Sequence, residues 1–336
     1  MHKQAIDIKF NVEQPADQLK FKLYNYADKG TVQVQVNPGL KLAFEKTLNL
    51  ESKTLSAEVS VPLQHLIPGN NHIRLTYNGQ VTDTTIINWQ MNSTAKSMQT
   101  VDMNSKFNDH LTHIFTNQYL SPRPQSVTLQ LPTQGIGNWC YPLTMANIDD
   151  SGLRKLAGSN NGFEIPQHIP FATPGGAGKN IAFTSQWDNY PHSISIPLNG
   201  SASHAYLLMA GSTNPMQTRL VNGTVVIHYE DGTQQLLELK NPENWWPIEQ
   251  DYDNDGYAFN TNAAKPLRVY LKTGTASLNF KDYTSIKGFS NKAIDGGAAT
   301  VLDFCLNPTK KLKSLELTTV ANDVVIGLMG ITLVRE

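Results

Sequence analysis

Apolar residues at every second position constrain this chain more than any other feature. Ile6, Ile8 and Phe10 alternate with polar residues. So do Leu19, Phe21 and Leu23, then Val32, Val34 and Val36, then Val59 and Val61, then Ile73, Leu75 and Tyr77. Successive side chains of a strand point to opposite faces, so these runs predict strands with one buried face. Turn signals separate them: Asp28-Lys29-Gly30, Asn37-Pro38-Gly39, Pro68-Gly69-Asn70 and Asn78-Gly79. Asn-Gly is a strong hairpin signal because both residues tolerate positive φ. About seven short strands in roughly 90 residues predict an immunoglobulin-like sandwich over residues 1–90. Neither a tyrosine corner nor a cysteine pair marks its subtype.

Residues 91–105 are polar and aperiodic and read as a linker. Next, Phe107, Leu111, Ile114 and Phe115 recur at i, i+4, i+7 and i+8, which predicts a short amphipathic helix. His110 and His113 lie three apart on that face. Metal ligation and ordinary hydrogen-bonded or exposed histidines are the alternatives; without an obvious carboxylate partner the second is favoured. From 106 to 336 the pattern predicts a second, larger sandwich. Its expected strands are 126–131, 180–185, 192–198, 203–210, 217–229, 234–239, 266–272, 299–306, 312–319 and 324–334. Asp231-Gly232 separates the apolar runs at Val225–Tyr229 and Gln235–Leu239 as a second hairpin signal. A chain of 336 residues suits two domains at roughly 100–200 residues each.

Charge excludes some functions. The formal net charge is −1, so no broad attraction for nucleic acid is expected. Lys310, Lys311 and Lys313 read as a solvated turn between strands. No run of ~18 apolar residues predicts a membrane span. Charged residues make up 16% of the chain, below the usual ~25%, and Asn, Thr, Ser and Gln are abundant. That balance suits an extracytoplasmic protein, in the periplasm or at the cell surface. Met1-His2-Lys3-Gln4 has no apolar signal core, and strand patterning begins almost at once. The alternatives are a cytosolic protein, a mature chain whose targeting segment has been removed, or a piece of a longer one. Cys140 and Cys305 present two alternatives, a disulfide or a buried thiol at Cys305, which sits among Phe304 and Leu306.

The second module's loops hold the candidate chemistry. They include Trp187-Asp188-Asn189-Tyr190-Pro191, Asn214-Pro215-Met216-Gln217, and the run from Asn241 through Trp245-Trp246-Pro247-Ile248-Glu249 to Tyr252. Trp139 and Tyr141 lie in another. Aromatic rings stack on the C–H faces of sugars, while carboxylates and amides take the hydroxyls. Trp187, Asp188, Asn189, Tyr190, Asn214, Trp245, Trp246 and Glu249 are therefore candidate ligand-binding residues. The alternative is that the tryptophans plug the sandwich ends or an interface. Trp187 is the first candidate for exposure, because Asp188 and Asn189 favour a solvent-facing turn.

Asp251, Asp253 and Asp255 before Gly256 resemble the first half of a calcium loop, but Asn262 stands where the closing Glu belongs. They are the metal candidates, with a solvated acidic turn as the alternative; no cofactor is required. Pro174-Gly175-Gly176-Ala177-Gly178-Lys179 lacks phosphate-loop spacing and is followed by strand-like residues. Glu249, Asp251 and Asp188 are the carboxylates that glycoside hydrolysis would need in a facing pair.

Four ordered motifs carry a family resemblance: Ile169–Pro174, Phe183–Pro191, Tyr206–Asn214 and Asn244–Tyr252. Over roughly 105–336 the chain resembles the C-terminal β-sandwich region of large glycosidase-like, six-hairpin proteins of polysaccharide-degrading bacteria. Its last ~40 residues resemble the closing strands of galactose-binding-type jelly rolls. The helical toroid of that family has no counterpart in this sequence, so hydrolase activity does not carry over. Alternation and turns predict an all-β chain with an immunoglobulin-like sandwich first and one short helix, and the resemblance implies that the second sandwich is a jelly roll. It further implies a non-catalytic glycan-binding or accessory module of a polysaccharide-utilisation system. The partners implied are a poly- or oligosaccharide and a glycosidase catalytic domain. A structural module packing on that domain is the second reading, and a glycosidase using loop carboxylates the third.

Overall fold

A computed structural model describes residues 5–10, 18–52, 57–66, 69–88, 97–117, 147–165, 168–213, 217, 219–241, 243–249, 266–277 and 294–335. The protein is all-β with antiparallel sheets, and among the described residues there is a single short α-helix. It divides into two compact units, one within Met1–Met91 and one within Asn92–Phe259 and Pro266–Glu336.

The first unit pairs a three-stranded with a four-stranded sheet. Strands β1 (Ile6–Phe10), β2 (Gln18–Asn25) and β5 (Ala57–Pro62) form one, in the order β1-β2-β5. The other holds β3 (Gly30–Val36), β4 (Phe44–Leu50), β6 (Gly69–Tyr77) and β7 (Gln80–Asn88), in the order β4-β3-β6-β7. The alternating residues do what their period requires. Leu19, Phe21, Leu23, Val59 and Val61 are buried from one sheet, and Val32, Val34, Val36, Ile73 and Leu75 from the other. Asn78 (φ 49°) and Gly79 (φ 77°) close the β6–β7 hairpin, with Tyr77 paired directly to Gln80. That is the two-residue turn whose twist matches the flanking strands.

The second unit stacks a seven-stranded sheet and a four-stranded sheet. The large sheet contains β8 (Ser97–Thr100), β11 (Ala182–Ser185), β13 (His204–Thr213), β16 (Leu267–Tyr270), β17 (Ala276–Ser277), β18 (Ala298–Cys305) and β20 (Val324–Arg335). Its order is β11-β20-β13-β18-β16-β17, with β8 also pairing β20. The smaller sheet runs β12 (Ser193–Pro197), β19 (Leu312–Thr319), β14 (Val221–Tyr229) and β15 (Gln234–Lys240). A short hairpin of β9 (Gly162–Glu164) and β10 (Pro170–Ala172) lies against β20, where Phe171 approaches Gly330 and Thr332 Oγ1 donates to the Pro170 carbonyl. The central strands β13, β18 and β20 are therefore buried almost end to end. Strands covered on both faces read as continuous apolar runs rather than alternation.

Two sequence expectations are corrected here. Residues 107–115 do not form an α-helix: only a 3₁₀ turn, Leu111–His113, appears there. The periodicity reports burial of Leu111, Ile114 and Phe115, but neighbouring strands hold the backbone. Asn108 bonds the Phe183 carbonyl and amide, and the Leu111 N–H donates to Asn180 Oδ1 at 3.0 Å. The α-helix instead is α1 (Ser151–Ala157), which no periodicity announced. Residues 91–105, expected to be a linker, contain β8. It is an edge strand with alternately exposed side chains, and its polarity hid it. The expected strand 126–131 lies outside the described residues. Among the described residues no helix is long and apolar enough to cross a membrane.

Candidate functional site

Four aromatic rings expected to face ligand, Trp187, Tyr190, Trp245 and Trp246, are buried. Trp187 is 2% exposed. The turn signalled by Asp188 and Asn189 exists, with the Tyr190 N–H returning to the Trp187 carbonyl at 3.3 Å. The indole, however, turns inward and its Nε1–H donates to the Asn322 carbonyl at 2.5 Å. It ties the β11–β12 loop to the β19–β20 turn. Its expected exposure is thus corrected: the partner lies far along the chain, in a turn that local composition does not report.

Trp245 and Trp246 are each 1% exposed. Trp245 Nε1–H donates to Asn222 Oδ1 at 2.8 Å, and Asn241 Nδ2 donates to the Trp245 carbonyl at 3.1 Å. Its ring packs on Gly211, where a Cβ would also meet the Val325 carbonyl. Trp246 lies beneath the buried Arg268, whose guanidinium carbon sits 5.9 Å from the ring centroid and whose Nη2 donates to the Pro247 carbonyl at 2.6 Å. The chain then passes Ile248, whose N–H reaches the Gly211 carbonyl and whose carbonyl accepts from Ala298. Glu249, 1% exposed, accepts from Ser212 Oγ. Trp187, Trp245, Trp246 and Glu249 are thus buried rather than exposed as expected of a ligand-facing surface.

Tyr190 is buried too, and its hydroxyl donates to Asp109 Oδ2 at 2.6 Å. Asp109 also accepts from Asn117, from the His110 amide and, at 2.8 Å, from His113 Nδ1. Burial pushes the Asp109 carboxyl up, but those hydrogen bonds, led by Tyr190 and Asn117, outweigh it and hold it below its ordinary range. The carboxylate partner that sequence did not find for the histidines is thus Asp109, four residues before His113. Asp188 remains exposed and Asn189 half-buried. Asn214, Asp251, Asp253 and Asp255 lie outside the described residues, as do Trp139, Tyr141 and Cys140, so the disulfide expectation does also.

Polar chemistry gathers instead at one end of the second sandwich, where the β12–β13 loop, the β18–β19 loop and the last residues of β20 converge. A shallow cleft of about 360 Å³ is lined there by Gln99, Asn199, Gly200, Ser201, Pro308 and Arg335, with Ala202 beneath. Arg335 frames it: Nη1 donates to the carbonyls of Asn199 and Ser201 at 2.8 and 2.9 Å, and Nε donates to Gln99 Oε1 at 2.9 Å. The guanidinium is hydrogen-bonded to the cleft walls, and the cleft presents side-chain amides, hydroxyls and carbonyls.

At the same end, the β13–β18 register sets His204 opposite Cys305 and Tyr206 opposite Asp303. His204 Nδ1 is 2.8 Å from Asp303 Oδ1 and 3.5 Å from Cys305 Sγ. The His204 and Tyr206 rings stack with centroids 6.0 Å apart. The Asp303 side chain has no solvent exposure, and burial raises its carboxyl despite the hydrogen bond from His204. Burial first, and the Asp303 charge second, push the Cys305 thiol up to about 12. Sequence reasoning missed this group. Cys305 read as a disulfide partner of Cys140 or a buried thiol, and pairing with His204 across 101 positions leaves no local signal.

No known family's sequence profile matches the chain, and no curated protein matches it. Among solved structures, it is similar to a crystal structure of tripeptidyl peptidase 2 at 9% identity. The match covers 98% of this chain and 20% of that one, with a TM-score of 0.21. The chain spans about a fifth of that structure, and a likeness this weak carries no argument.

Proposed function

We propose that this chain is a non-catalytic accessory module of a glycan-processing system, binding saccharide at the polar end of its second sandwich. The observation that carries the reading is the cleft framed by Arg335, Asn199, Ser201 and Gln99. Its amides and carbonyls suit hydroxyl-rich ligands, and the hydrogen bonds that Arg335 makes across it are in place before binding. The resemblance to the sandwich region of glycosidase-like proteins supports the same class. The burial of Glu249 against Ser212 argues against its service as a catalytic carboxylate. Calorimetric titration with neutral and uronic-acid oligosaccharides tests the proposal. Saturable heat with one class, lost in Ser201→Trp, which fills the cleft from an exposed position, is the expected result. No heat across the panel, or binding indifferent to Ser201→Trp, would retire it.

A further inference from the structure

We propose that His204, Asp303 and Cys305 form a three-ligand site for a borderline transition-metal ion of the zinc class. The proposal stands apart from the saccharide reading. Alternate residues of β18 share a face, so Asp303 and Cys305 project together, and the antiparallel register brings His204 onto them. Their ligand atoms all lie within 4.8 Å of one another.

Tetrahedral coordination with bonds of about 2.0–2.3 Å places ligand atoms about 3.3–3.7 Å apart. The Sγ to Nδ1 separation of 3.5 Å already fits. The Nδ1 to Oδ1 separation of 2.8 Å is that of a hydrogen bond, and it opens by about half an ångström when a metal replaces the proton. Rotation of two side chains supplies that much, with no change in the strands.

A second observation points to the ion independently. Asp303 Oδ2 is buried with no hydrogen-bond partner among the described residues. A wholly buried carboxylate with one oxygen unsatisfied is costly. A cation beside His204 and Cys305 would offset that cost, because it favours the ionised carboxylate and thiolate together.

The donor set selects the metal. One imidazole, one carboxylate and one thiolate suit zinc or cobalt; a thiolate does not suit calcium or magnesium. Three protein ligands leave a fourth position, which the partial exposure of His204 opens to solvent for water. Binding displaces the thiol proton, so affinity should rise with pH.

Cobalt titration of the chelator-treated full chain tests the site. The expected result is one equivalent bound per chain, a sulfur-to-cobalt charge-transfer band in the near ultraviolet, and displacement of cobalt by zinc. Cys305→Ser should abolish the band, Asp303→Asn should weaken binding at least tenfold, and Cys140→Ser should change neither. Circular dichroism checks that each variant folds. Should Cys305→Ser fail to fold, loss of affinity in Asp303→Asn together with a zinc-induced rise in the wild-type melting temperature sustains the proposal. Absence of a thiolate band in the wild type, a band surviving Cys305→Ser, or unchanged affinity in Asp303→Asn overturns it.

Discussion

At the scale of single residues, Trp187, Trp245 and Trp246 serve architecture. Trp245 fills space between β13 and β14, with its N–H satisfied by Asn222. Trp245→Ala should cost about 3–5 kcal/mol in denaturant unfolding, as large-to-small core changes do. Gly211→Ala should cost about 1–3 kcal/mol, since its added methyl meets both the Trp245 ring and the Val325 carbonyl. Asp109 makes a pH-dependent contribution. Its folded pKa is lowered, so its stabilisation is present above the ordinary carboxylate range, near ~3.9, and is lost as pH falls through the folded value. Asp109→Asn should therefore destabilise at neutral pH, and the difference from wild type should shrink in acid denaturation series below about pH 4. The sequence made the turn at Asp188-Asn189 legible. It did not show where the indole beside it goes, because Asn322 is distant in the chain.

At the scale of elements, legibility followed the number of covered faces and the chemistry of turns. The expectation of strands 312–319 and 324–334 falls on β19 and β20 because continuous or alternating apolar residues mark both. Strand β8 was missed because an edge strand needs no apolar face, and α1 because seven residues are too few to display a period. The 3₁₀ turn at Leu111–His113 shows the converse: helical spacing can record burial while Asn108 and Asn180 commit the backbone elsewhere. The Asn78-Gly79 hairpin was readable because its φ requirement is local. Gly79→Ala places a Cβ at φ 77° and should destabilise the first unit by about 1 kcal/mol, read as a shift in its unfolding midpoint.

At the scale of the whole molecule, each unit has its own core. Leu75→Ala should lower the unfolding transition of the first unit by about 2–5 kcal/mol, and Trp245→Ala should lower that of the second. Differential scanning calorimetry of both variants would display the two effects separately. The division of labour also changes at this scale. Sequence placed recognition in the aromatic loops; the folded chain turns Trp187, Tyr190, Trp245 and Trp246 inward, and exposed polar groups lie where β13, β18 and β20 reach one end. Paired calorimetric titrations of Trp187→Phe and Ser201→Trp with the same oligosaccharide series separate the two locations. We expect Trp187→Phe to bind as the wild type does while melting at a lower temperature, and Ser201→Trp to fold normally and lose binding. Lost binding in a folded Trp187→Phe, with full binding in Ser201→Trp, would contradict that placement.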